Sequence, residues 1–145
     1  MKKNGVLAKL RKALREIGVK LIRHGSIHEV EYKGVIMLLI INEKDGTFAI
    51  CTHVFDANGN LNEQTLNMAL DVIDGIYECY SGGWNGGVAY FSSPSFQIGM
   101  DVDVTAEWLE GQLKEFWDAF MFLQANIHLM GDKSVFSGFE EKETK

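Results

Sequence analysis

Residues 34–55 read GVIMLLIINEKDGTFAICTHVF. The run 35–41 (VIMLLII) is apolar at every position, so it shows apolar side chains on both faces of an extended chain. Such a run predicts a central strand that is covered on both sides, or covered on one side by a partner. Asp45-Gly46 is a hairpin turn signal, and 47–55 (TFAICTHVF) then pairs back. Upstream, His28, Val30 and Tyr32 alternate with Glu29 and Glu31, the pattern of a strand with one wet face. Lys33-Gly34 turns the chain between them. A three-strand meander follows.

Working outward, Val6, Leu7, Leu10, Ala13, Leu14 and Ile17 recur at helical spacing, with Gly18 as the C-cap. On the other side, Asn62 caps a helix whose apolar positions run from Leu66 and Ala69 through Ile73 to Tyr80. The segment 81–87 (SGGWNGG) reads as a loop. Residues 88–91 and 96–104 read as a second hairpin turning through Ser92, Ser93, Pro94 and Ser95. Thr105 caps a last helix, 106–129. The expected class is therefore α+β, an antiparallel sheet of about five strands in the order α-β-β-β-α-β-β-α, with helices packed on the sheet. Residues 1–130 are expected to form one domain, and 131–145 a polar, flexible tail carrying Phe136 and Phe139.

The chain has 145 residues, 46% hydrophobic and 23% charged, an ordinary globular composition. No apolar run approaches the ~20 residues that span a bilayer, and the basic N-terminus has no apolar signal segment. Cys51 and Cys79 are expected as buried thiols of a reducing cytoplasm, a disulfide being the lesser alternative. The net charge of −6 is unevenly spread. Lys2, Lys3, Lys9, Arg11, Lys12, Arg15, Lys20 and Arg23 stand against Glu16 alone, which gives +7 over residues 1–23 and −13 elsewhere. No aromatic residue there can stack on bases, and the acidic remainder repels a polyanion. A solvated helix face is expected, with no nucleic acid and no membrane as partners.

No metal or catalytic motif emerges. His24, His28, His53 and His128 have no His or Cys at ligand spacing. Asp101 and Asp103 share a strand face but fall well short of a calcium site. The glycines at 82–87 lie between a helix and a strand without the lysine of a phosphate loop. They are expected to permit left-handed backbone. Trp84 among them either folds back on the core or marks a contact. No enzyme activity, no cofactor and no metal are expected.

The last helix carries more apolar surface than one stripe requires. Leu109, Leu113, Phe116, Phe120, Leu123 and Ile127 form the stripe; Trp108, Trp117, Met121 and Phe122 spill beyond it. Aromatic residues and methionine are enriched at protein contacts. Trp84, Trp108, Trp117, Met121 and Phe122 are therefore the candidate partner-binding residues. A small-molecule pocket lined by rings between sheet and last helix is the alternative.

The element order, with residues 34–55, LNMALDVIDGIYECY (66–80), VAYF (88–91), FQIGMDVDV (96–104) and the helix after Thr105, resembles the YbjN-type domains of the type III secretion chaperone-like fold. The resemblance spans residues 5–129. It implies a non-enzymatic, homodimeric cytoplasmic protein that binds other polypeptides, chaperone-like or regulatory, with no catalytic residues to carry across.

Overall fold

The computed structural model describes residues 5–56, 61–98 and 103–130. It is an α+β chain with three helices and an antiparallel sheet of seven strands, rather than five. The order is α1 (Val6–Ile17), β1 (Leu21–His24), β2 (Ile27–Tyr32), β3 (Val35–Asn42), β4 (Thr47–Val54), α2 (Glu63–Asp74), β5 (Ser81–Asn85), β6 (Val88–Ser92), β7 (Phe96–Gln97) and α3 (Ala106–Met130). The strands are arranged β1-β2-β3-β4-β6-β5, with β7 also paired to β4. The chain divides into two compact units, Met1–Thr52 with Ser92–Asp118, and His53–Phe91 with Ala119–Lys145. Asp101, the proposed tail and its two phenylalanines lie outside the described residues.

In the first unit β1 to β4 form a meander, one strand longer than expected. The missed strand, Leu21–His24, pairs antiparallel with β2. Lys33 (φ 49°) and Gly34 (φ 83°) turn β2 into β3, both in the left-handed region that a two-residue hairpin demands. The register aligns Leu21, Val30 and Met37 across three strands, and His28, Leu39 and Ile50 across β2, β3 and β4. Val30, Met37, Leu39, Phe48 and Ile50 are buried on this face. The ring of Trp108, near the start of α3, meets Phe48 edge-on at 6.0 Å and Phe96 at 5.2 Å. Helix α1 buries Val6, Leu10, Ala13 and Leu14. It ends as expected at Gly18 (φ 76°), where the Gly18 and Val19 N–H groups reach the Arg15 and Leu14 carbonyls.

The expected second hairpin does not form in this way. After β6 the chain continues along β4 rather than turning back. Ser93 donates its N–H to Ile50 O at 2.8 Å, and its Oγ accepts the Ile50 N–H at 2.9 Å. The hydroxyl so takes the place of a backbone carbonyl, next to a proline with no N–H to give. Regular pairing resumes at Phe96 with Phe48 and Gln97 with Thr47.

In the second unit Asn62 caps α2 as expected, accepting the Thr65 N–H while Thr65 Oγ1 accepts the Asn62 N–H. The helix stops at Asp74, short of Tyr80. Gly75 follows, and the N–H groups of Ile76 and Tyr77 both converge on the Ile73 carbonyl in a closing turn. The segment 81–87, read as a loop, is instead strand β5 and a two-residue turn at Gly86 (φ 61°) and Gly87 (φ 82°). Left-handed backbone thus accounts for Gly86 and Gly87 only. Gly82 answers to close packing: a Cβ there would lie 2.6 Å from Tyr90 O and 3.0 Å from the Leu70 side chain. Leu66, Ala69, Ile73, Tyr80, Phe91, Leu123 and Ile127 fill this core. Tyr80 stacks on Phe91 at 5.5 Å, and Phe91 meets Phe120 at 6.4 Å.

Candidate interaction face

Among the described residues, the run 35–41 is covered on one face only. Met37 and Leu39 are buried, while Ile36 and Ile40 are 55% and 54% exposed. Because side chains alternate along a strand, the β3 register carries this exposed face across the meander. Ile27, Ile40 and Ala49 lie in one row, and Ile22, Glu29, Leu38 and Cys51 in the next. Ile27 is 50% exposed and Ile22 is also open to solvent. All of these residues belong to the first unit.

Two carboxylates, Glu29 and Glu31, lie on this face. His24 Nε2 and Glu29 Oε1 are 2.7 Å apart, and Glu31 lies opposite Ile36. Cys51, half-buried within the face, has its thiol pushed up by burial against a smaller opposing effect of the Thr52 backbone hydrogen bond. It is therefore a small neutral apolar group at physiological pH. Several large apolar side chains left in water on one face of a sheet are unusual for a folded chain.

The five candidate residues named from the sequence are distributed between the two units. In the first, Trp108 is held between Phe48 and Phe96. Trp117 donates its indole N–H to Lys33 O at 3.2 Å, and the Lys33 ammonium lies 5.0 Å from its ring centre. Both are half-buried with partners of their own. In the second unit Met121 is 43% exposed and Phe122 lies at the surface, 6.5 Å from Tyr77. Trp84 does not fold back: it sits on β5, 38% exposed. Met68, Val72 and Ile76 form an exposed stripe at four-residue spacing from α2 onward. Cys79, expected buried, is exposed with φ 70° and is free, as is Cys51. Among the described residues no helix is long and apolar enough to cross a membrane.

Ile22 is not legible in the sequence because β1 gives no strand pattern, and Ile27 because it precedes the alternation that starts at His28. The signal for Ile36 and Ile40 was present in the two-sided apolarity of 35–41.

No family model and no curated protein matches the chain. Among solved structures it is similar to YbjN from E. coli, described as a candidate transcription regulator, with a TM-score of 0.56 over 85% of this chain and 93% of that one. The chain has a YbjN-like fold. At 15% identity the likeness is one of fold. It upholds the YbjN-like part of the resemblance and leaves open its type III secretion chaperone-like part. In this YbjN-like frame the uncovered face belongs to the meander β1–β4, the best-patterned stretch of the sequence.

Proposed function

We propose that this YbjN-like chain is a non-enzymatic module, regulatory or chaperone-like, that works in the cytoplasm by protein–protein contact. Its first partner is a second copy of itself, joined through the uncovered face of β1–β4. The observation that carries this is the exposure of Ile36 and Ile40 on a central strand whose other face is buried. The face suits self-association because its centre is neutral. Ile27, Ile40 and Ala49 carry no charge, and Glu29 already has His24 beside it. A two-fold contact places like residues near like, so a charged centre would repel its own copy. A polypeptide partner would then use the surfaces that remain, Met121 and Phe122 on α3 and Trp84 on β5.

Sedimentation velocity on the full chain tests this reading. The wild type is expected as a dimer at micromolar concentration, and Ile36→Lys with Ile40→Lys as a folded monomer with the same circular dichroism and melting temperature. A monomeric wild type, or a variant that still dimerises, defeats it. Co-purification from the native cell, read by mass spectrometry, then separates a regulatory from a chaperone-like role by the proteins recovered.

The alternative, a sensor pocket lined by rings between sheet and last helix, has less support in the first unit. There Phe48, Phe96 and Trp108 pack on one another at 5.2–6.0 Å.

A further inference from the structure

On the helix-covered side of the same meander lies a cleft of about 300 Å³ lined by Arg11, Leu14, Arg15, Val19, Leu21 and Arg23. Arg11 and Arg15 stand one turn apart on α1, and Arg23 projects from β1. Leu14, Val19 and Leu21 supply apolar lining between them. Three solvent-exposed arginines thus line one cleft. Among the described residues none of the three has a carboxylate within ion-pair distance. The Arg23 Nε donates to the Gly25 carbonyl at 2.7 Å, which steadies its guanidinium.

A second observation lies beside the first. His28 is the cross-strand neighbour of Arg23. Its Nε2 is buried and has no hydrogen-bond partner. A buried polar atom without a partner is costly unless something else satisfies it. Burial first, then the charges of Arg23 and Arg11, hold the pKa of this ring below its ordinary value. Arginines without counterions over an apolar lining, with the unsatisfied His28 nitrogen on the neighbouring strand, suit an oxyanion. Arginine's planar fork matches phosphate oxygens two at a time.

We propose that the cleft between α1 and β1 binds the phosphate or pyrophosphate group of a small soluble metabolite. A small ligand fits better than a polymer. The cleft is at the low end of ligand-pocket volumes, and the chain outside residues 1–23 carries a net −13 that repels an extended polyanion. This inference is independent of the dimer contact, which uses the opposite face of the sheet.

Isothermal titration of the full chain with inorganic phosphate and with pyrophosphate, at one fixed ionic strength, tests it. Saturable binding of pyrophosphate at one site per chain is expected. Arg23→Gln and Arg11→Gln each weaken it by about tenfold or more, while Lys12→Gln, which removes the same charge outside the cleft, leaves it within about twofold. The imidazole resonances of His28 shift on pyrophosphate addition. Arg23→Gln lies on a solvent-exposed edge strand, so it reports even if Arg11→Gln misfolds. Two further arms use phosphatidylglycerol vesicles and duplex DNA. No saturable binding at millimolar pyrophosphate, an equal loss in Lys12→Gln, or binding seen only with vesicles or only with DNA overturns the proposal.

Discussion

The indole N–H of Trp117 donates to the carbonyl of Lys33, a residue 84 positions earlier in the chain. Lys33 is the first residue of the β2–β3 turn, and its ammonium lies over the same ring. One tryptophan therefore ties the middle of α3 to a hairpin turn. Trp117→Phe keeps an aromatic ring and removes the donor. It should lower stability by about 1 kcal/mol, the usual net worth of such a bond. Urea unfolding reads the loss; an unchanged midpoint would show that the contact holds nothing in place.

Gly82→Ala tests the close approach of β6 and α2 to β5. The added methyl meets the Tyr90 carbonyl and Leu70. A backbone atom cannot swing aside as a side chain can, so the strand or the helix must move. The expected cost is about 1–3 kcal/mol, read as a lower melting temperature. The atoms nearest a methyl at Gly83 are those of the Tyr90 ring and hydroxyl, at 3.1–3.3 Å, a side chain that can shift, so Gly83→Ala should cost less. Equal losses at both sites would remove this explanation for the glycine pair.

The two thiols should react at different rates. Cys79 is exposed, while Cys51 is half-buried with its ionisation opposed by burial. Only the thiolate attacks. Titration with Ellman's reagent at neutral pH should show one fast and one slow thiol, and Cys79→Ser should abolish the fast phase. Loss of the slow phase instead would reverse the assignment.

His28 gives the fold a pH dependence of known sign. Burial first, then the Arg23 and Arg11 charges, hold its pKa below the ordinary imidazole value. As pH falls through about 6.5 the unfolded chain takes up this proton before the folded one. The stability present above that pH is lost progressively until the folded group protonates as well. The melting temperature of the wild type should therefore fall more steeply between about pH 7 and pH 5 than that of His28→Gln. Parallel slopes would show that other groups carry the effect.

The elements whose signals are local were legible in the sequence. Gly18, Lys33-Gly34, Asn62 and Thr105 cap or turn the chain where their chemistry says they should. What escaped depends on distant partners. Leu21–His24 is too short and too charged to announce a strand, and it becomes one by pairing with β2. Ser81–Asn85 has two glycines that read as a loop until Leu70 and Tyr90 are seen against them. The break at Ser93 is visible only once Ile50 lies beside it. The same limit holds for the exposed face of β1–β4. Residues 35–41 declare that both sides are apolar, but which side the helices cover is decided by the whole unit. Trp108 and Trp117 looked surplus to α3 because Phe96 and Lys33 could not be placed beside them.

Helix α1 begins at Gly5 with no side-chain cap of its own. Its first N–H groups, from Val6 and Leu7, are instead received by the carboxylate of Glu43, at 2.8 and 3.0 Å. Glu43 sits in the connection between β3 and β4. The start of this helix is thus supplied by a turn some forty positions later. An isolated helix of this length is marginal in water, so α1 should consolidate after the β3–β4 hairpin has closed. In a refolding experiment, amide protection in residues 6–17 is expected to lag behind that of β3 and β4. In Glu43→Gln, which loses the charge at the helix start, the lag should lengthen.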